Sequence, residues 1–434
     1  MPARCTTSHL VALAVAAAVA AGCGSAPPPA ERAVAPEATG APAEAREEWV
    51  VTAASPVTSA EQWSAAEVWD EGLEGSTLRQ QVHATIGGRS ARVTLSNRAG
   101  TAPLVVAAAS VAVAVEPAGA SAAVATPRPL TFDGEPGVTV EPGVEVVSDV
   151  VDLDVPADHD LAVNLYVTGP TGRPNGARYS GQTSWRGAGD LVDVAAGDGF
   201  TEARTGLAYV AAVEVLAPEP EGAVVVFGDS KSDGGLAVEA DTEERWPDAL
   251  HARLVAEGRR GVAVANASFS GATLLPDGDP TSGVVRFDGD VLARAGVRTV
   301  IVALGTNDLL WRTTDQIVAA LEELVARGHA AGVRVVGATV PPFAGPRAAG
   351  VCTATEPPAM GREGTRLEVN QRIRGTDGIE AIGFDAVADF DAVLRDPEET
   401  GRIACRYSIY GLSHPNAAGH AAMAAAVDLA TLMP

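Results

Sequence analysis

The chain has 434 residues, 47% of them hydrophobic, enough for two or three domains with sizeable cores, which excludes a disordered polymer. Asp and Glu number 55 against 31 Lys and Arg, a formal net charge of -24, which disfavours nucleic acid and anionic membrane surfaces as partners. The balance names no substrate, because an acidic excess is most often a solvated surface.

Residues 1–22 read as an export signal, with Arg4 followed by an apolar stretch from Leu10 to Ala21. That stretch is shorter than the roughly 20 apolar residues of a spanning helix. The small residues ending at Gly22-Cys23 resemble a bacterial lipobox, which makes Cys23 the lipid acceptor and residues 23–48 a Pro/Ala-rich tether. Ala20 stands where that pattern prefers Leu, so cleavage at an ordinary small-residue site is the alternative. The expected location is extracytoplasmic, anchored to the membrane only through a lipid on Cys23, or secreted. Beyond Cys5 and Cys23 the chain carries only Cys352 and Cys405. In an oxidising compartment they suggest one disulfide, with two buried thiols as the alternative. No CxxC or Cys/His metal spacing occurs and the seven histidines are scattered, so no metal and no other cofactor is expected.

Residues 49–218 are rich in Val, Thr and Ala with frequent Gly, Pro and Asp breaks, the signature of an antiparallel β-sandwich-like domain. Within residues 78–97, Val82, Ala84 and Ile86 alternate before Gly87-Gly88, and Val93 and Leu95 alternate after it, predicting a hairpin. His83 and His159 read as ordinary strand residues. Residues 215–222 place two prolines and two acids in the apolar pattern and mark a boundary. In residues 219–434 the period changes. Short apolar runs alternate with helical stretches, one of them around Arg245 to Glu257 and another at the C-terminal end. This alternation predicts an α/β domain with a flavodoxin-like, doubly wound parallel sheet.

Four polar punctuations follow the predicted strands: Ser230 in "FGDSKSDGG", Gly271 in "NASFSGATLL", Asn307 in "LGTNDLL" and His414 in "YGLSHPNAAGH". Ligands collect at the carboxyl ends of strands in open α/β sheets. The four motifs, in this order and context, resemble the SGNH (GDSL) family of serine hydrolases over roughly residues 221–434. "RWPDALHARL", "GVRTVIVALGTND" and a preceding β domain containing "VTLSNRAGTAPL" resemble its acetyl xylan esterase-like branch. The resemblance implies that Ser230 is the nucleophile and His414 the general base. It also implies an oxyanion hole made by the backbone N–H groups of Ser230 and Gly271 and the amide of Asn307. Asp229 and Asp308 flank these groups without an assigned chemical role, and His420 reads as a helix residue. The Gly-Asp-Ser turn is no phosphate cradle, because GxxxxGK[ST] is absent.

One position departs from the family pattern. An aspartate ordinarily stands three residues before the histidine, and here that residue is Gly411. No carboxylate occurs from Tyr407 to His414, so the expectation is a Ser230-His414 dyad with a backbone carbonyl near Gly411 to Leu412 on the imidazole Nδ1. The reading is an esterase acting on an acylated carbohydrate or another small ester. The alternatives are a non-catalytic carbohydrate-binding lipoprotein with a vestigial site, and a lipase or thioesterase on the same scaffold.

Overall fold

A computed structural model describes residues 46–59, 69, 72–115, 121–235, 237–276, 281–344, 362–376, 380–409 and 413–433. The expected signal, Cys23 with most of the tether, Cys352 and Gly411 lie outside the described residues. Among the described residues no helix is long and apolar enough to cross a membrane.

The N-terminal part is antiparallel throughout. One sheet orders the strands Glu47–Ala54, Val210–Pro218, Gly88–Ser96 and Glu145–Val147, with Val151–Val155 also on Gly88–Ser96. A second sheet runs Phe200–Arg204, Ser184–Ala188, Ser76–Ala84, His159–Val167, Leu104–Val113 and Arg128–Leu130, with Val138–Val140 also on Leu104–Val113. The hairpin expected across Gly87-Gly88 is not formed, because Ser76–Ala84 and Gly88–Ser96 belong to different sheets. The glycines make a corner instead. A Cβ on Gly87 would lie 2.4 Å from the Val155 carbonyl oxygen, and one on Gly88 would lie 2.7 Å from that of Leu216. The pair is required by close backbone approach between layers, which a sequence cannot distinguish from a tight turn.

The C-terminal part is a parallel sheet of β1 (Gly222–Gly228), β2 (Val262–Asn266), β3 (Val297–Ala303), β4 (Arg334–Ala338) and β5 (Ala386–Ala388), in the order β2-β1-β3-β4-β5. This is the flavodoxin-like order, with its switch point beside β1. Every residue of β1 is buried, as a strand covered on both faces must be. Its period-2 alternation sends Ala223, Val225 and Phe227 into one apolar cluster and Val224 and Val226 into another. The second cluster is closed by α2 (Trp246–Ala256) and α5 (Ala417–Ala425), and the first by α3 (Thr314–Ala330) and α4 (Glu363–Arg374). The first cluster continues into Val50, Leu95 and Val213 of the antiparallel sheets, and residues Ala45–Pro434 form one compact unit. The last helix is shorter than its apolar pattern suggests. It stops at Ala425, and Asp428 accepts the Ala430 N–H at 3.0 Å to start a separate 3-10 turn, Leu429–Thr431.

Candidate active site

β1 delivers the chain to the switch point and Gly228 lets it turn there, since a Cβ on that residue would lie 2.4 Å from Ser232 Oγ. A single helical turn, α1 (Ser230–Asp233), follows. Asp229 caps it by accepting the Lys231 N–H at 3.0 Å, and Gly234 ends it at φ +77°. Ser230 is thereby held at the first position of the turn, half-buried, with its side chain free to face the last loop.

That loop carries His414. It is pinned by Ile409 N–H donating to the His414 carbonyl at 3.0 Å and by Asn416, which caps α5 and donates to the Ser408 carbonyl at 3.2 Å. His414 Nε2 lies 2.9 Å from Ser230 Oγ across 184 positions of sequence. Burial, then the Lys231 ammonium and His420, push the His414 imidazole down to about 3. The ring is therefore neutral at physiological pH and able to accept a proton from the hydroxyl. Its Nδ1 is buried and finds no hydrogen-bond partner among the described residues, so no described carboxylate or carbonyl orients it.

Gly271 and Asn307 stand on the loops after β2 and β3. Phe269 N–H donates to the Gly228 carbonyl at 3.3 Å, which carries the β2 loop along the end of β1. Gly271 is exposed, at φ +85°, and a Cβ there would meet nothing within 4 Å. Glycine is needed for the left-handed backbone, not for space. Asn307 Nδ2 donates to the Ala272 carbonyl at 2.8 Å, which joins the two loops and uses one of its two amide protons. Asp308 braces the same junction, accepting the Leu274 and Leu275 N–H groups at 2.8 and 3.0 Å. Asp229 and Asp308 thus bind backbone, as a purely structural role requires.

Asp233 was not singled out from the sequence. It is buried, three residues after Ser230, and its Oδ1 accepts the Gly235 N–H at 2.9 Å and the Ser270 hydroxyl at 3.0 Å. It fastens α1 to the loop that presents Gly271. Burial, opposed by those hydrogen bonds and helped by Asp229, raises its carboxyl to about 7. The available signal was the i, i+3 spacing that puts it on the Ser230 side of a turn. His420 sits in α5, fully buried, with Nδ1 accepting the Trp246 N–H at 3.2 Å. Cys405 opens a 3-10 turn and is bonded, whereas its expected partner Cys352 lies outside the described residues.

The cavity of about 480 Å³ lined by Ile86, Gly87, Asp154, Ala217 and Arg260 contains none of these side chains. The His/carboxylate group found among the described residues with its donor atoms in ligating proximity is His83, Asp160 and Glu243, and it includes neither Ser230 nor His414.

Residues 226–422 match the GDSL-like Lipase/Acylhydrolase family. No curated protein matches the chain. Similar solved structures include a GDSL-like lipase from Bacteroides thetaiotaomicron, at 18% identity, covering 49% of this chain and 88% of that one with a TM-score of 0.33. A member of the lipolytic protein G-D-S-L family from Veillonella parvula has 18% identity, 47% and 94% coverage and a TM-score of 0.33. A carbohydrate acetylesterase from Sinorhizobium meliloti has 19% identity, 47% and 94% coverage and a TM-score of 0.33.

Proposed function

We propose, from the premise that residues 226–422 are a GDSL-like lipase/acylhydrolase domain and the chain an ester hydrolase, that it removes acetyl or other short acyl groups from carbohydrate esters through an acyl-enzyme on Ser230. The observation that carries this reading is the 2.9 Å contact between Ser230 Oγ and a neutral His414 Nε2.

Ser230 Oγ attacks the ester carbonyl while His414 Nε2 takes its proton. The negative charge that develops on the carbonyl oxygen is met by the Ser230 N–H, unpaired within its helical turn, the Gly271 N–H and the second amide proton of Asn307. The imidazolium then returns the proton to the leaving alcohol as the C–O bond breaks. Water repeats the cycle on the acyl-enzyme and releases the acid. His414 acts in a dyad with a neutral carbonyl as the acceptor for its Nδ1–H; residues 411 and 412, from which the sequence leads us to expect it, lie outside the described residues. The third triad member mainly fixes tautomer and ring orientation, which a carbonyl also does.

A carbohydrate substrate is supported by Trp311, 75% exposed at the end of the 3-10 turn Asp308–Leu310 that follows Asn307. An exposed indole face is a platform for the C–H face of a sugar ring, and this one follows Asn307 by four positions in the chain. Export and lipid anchoring at Cys23 place the enzyme where polymeric substrates are met, and a Cys352–Cys405 bridge would restrain the approach to the His414 loop.

The test is hydrolysis of p-nitrophenyl acetate, butyrate and octanoate, and of an acetylated xylo-oligosaccharide, by the mature protein and by Ser230→Ala. Turnover favouring acetate and falling by at least about 10⁴-fold in the variant is expected. No Ser230-dependent turnover of any of these would sink the proposal.

A further inference from the structure

His83 on the antiparallel strand Ser76–Ala84 faces Asp160 on its neighbour His159–Val167, the two being paired in register. Glu243 comes from the loop between Ser230 and α2 and approaches the same point. His83 Nδ1 lies 2.9 Å from Asp160 Oδ1 and 3.6 Å from Glu243 Oε1, and one donor atom from each residue lies within 4.8 Å of the others. Three ligands around a zinc-sized ion at 2.0 to 2.2 Å stand about 3.4 Å apart. The two measured separations bracket that value.

An acidic cluster alone would mean little. Here Asp160 is 1% exposed, and its Oδ2 is buried without a hydrogen-bond partner. A carboxylate oxygen kept from water with no donor is costly unless something cationic takes its charge. His83 Nδ1 serves the other carboxylate oxygen, Oδ1, and the neighbouring Arg245 does not reach Oδ2. Asp160, Glu243 and Asp248 oppose a single Arg245, and that guanidinium is spent on Asp248 at 2.7 and 2.9 Å and on the Ser180 carbonyl at 2.8 Å. Burial lowers the His83 imidazole, but the Asp160 hydrogen bond and the Asp160, Glu243 and Asp248 charges outweigh it and hold it above its ordinary value; once His83 is deprotonated to ligate, these residues together carry a formal charge of -2. A cavity of about 40 Å³ lined by His83, Gln81, Ser180, Asn266 and Asp248 adjoins it, large enough for water. Glu243 is 29% exposed at its side chain, which leaves an entry path.

We propose that His83, Asp160 and Glu243 bind one divalent cation of the zinc class, with water completing its shell. One imidazole nitrogen with two carboxylates suits such an ion better than calcium or magnesium, which prefer an all-oxygen shell. The ion stands apart from the ester chemistry. It ties the strands that carry His83 and Asp160 to the loop that leaves the nucleophile turn, a structural clamp between the antiparallel sheet and the parallel one.

The mature protein is stripped with EDTA, re-equilibrated with zinc and freed of excess by gel filtration, and bound metal is counted by elemental analysis beside His83→Gln and Glu243→Gln. The expected result is one more equivalent of zinc in the parent than in either variant. Zinc at a hundredfold over its Kd should also raise the parent melting temperature by about 3 °C, with no rise in the variants. Glu243 is a loop residue, so its variant is expected to fold, and circular dichroism checks that it does. No zinc and no thermal shift in the parent would overturn the proposal. So would equal zinc in all three proteins, or retention of calcium in place of zinc.

Discussion

The neutral state of His414 gives the sharpest test of the catalytic reading. Free histidine titrates near 6.5, and burial with the nearby Lys231 brings this one to about 3. At pH 5 an ordinary histidine would be only about 3% neutral and kcat/KM would stand about 30-fold below its plateau. With the depressed value the ring is about 99% neutral at pH 5, so kcat/KM should equal the pH 7 plateau to within a few per cent. The stability linkage sets the working range. A base whose folded value is depressed stabilises the fold fully above its unfolded value, and that stability is lost as pH falls from about 6.5 toward the folded value. His420, pushed by burial to about 4, acts with the same sign. Initial rates on p-nitrophenyl acetate should therefore be taken by brief pH jumps from neutral stock between pH 4 and 8. An acid limb of kcat/KM centred between 6 and 7 in correctly folded enzyme would refute the buried, carboxylate-free base.

Asn307→Ala removes the proton on the Ala272 carbonyl as well as the one proposed for the transition state, and should lower kcat by about 10² to 10³ with little change in KM; a loss under threefold would remove Asn307 from the oxyanion hole. Asp233→Asn keeps an acceptor for Gly235 and Ser270 but cannot ionise. Since the raised carboxyl of Asp233 makes the parent lose stability as pH rises from about 4 through 7, the variant should show a flatter melting temperature over that range, and an unchanged slope would contradict a buried, late-titrating Asp233. Reduction, or Cys405→Ser, should cost about 2 to 4 kcal/mol in urea unfolding; a parent curve indifferent to reductant would refute the Cys352–Cys405 bridge.

The strand-ending motifs were legible because β1, β2 and β3 each end where the apolar run breaks. Helix α3 was legible from its periodicity, and the structure adds a Thr313–Gln316 capping box to it. Helix α4 was not, because its buried face is polar. Arg366 is fully buried against Asp391 at 2.6 Å, and Asn370 bonds both the N–H and the carbonyl of Val340, so the apolar pattern that announces a helix is reduced to Val369 and Ile373. Strand β5 is only three residues long, too short for a period to show. The Gly87-Gly88 corner was misread as a hairpin because strand pairing is decided by partners far off in sequence. Asp233 escaped for the opposite reason. It lay inside a recognised motif, but its burial and its bond to Ser270 come from a loop 37 residues away.

The placement of the antiparallel layer bears on Ser230 itself. Past Gly234 the chain must return from Ser230 to α2 through a polar loop, and a loop of that composition has little apolar surface with which to hold its own position. The hold comes from residues 179–183. Tyr179 donates its hydroxyl to the Val238 carbonyl at 2.8 Å, Asp241 accepts the Thr183 N–H at 2.7 Å, and Arg245 reaches the Ser180 carbonyl. Gly181 has no room for a side chain, since its Cβ would lie 2.6 Å from the Arg245 guanidinium. Arg245 in turn precedes α2 and donates both its backbone N–H and its guanidinium to Asp248, and Trp246 beside it donates its indole N–H to Ser232 within the Ser230 turn at 3.0 Å. The path from the antiparallel layer to Ser230 therefore runs through short, directional contacts. In this chain residues 179–183 of the antiparallel part thus hold in place the segment that follows the Ser230 turn.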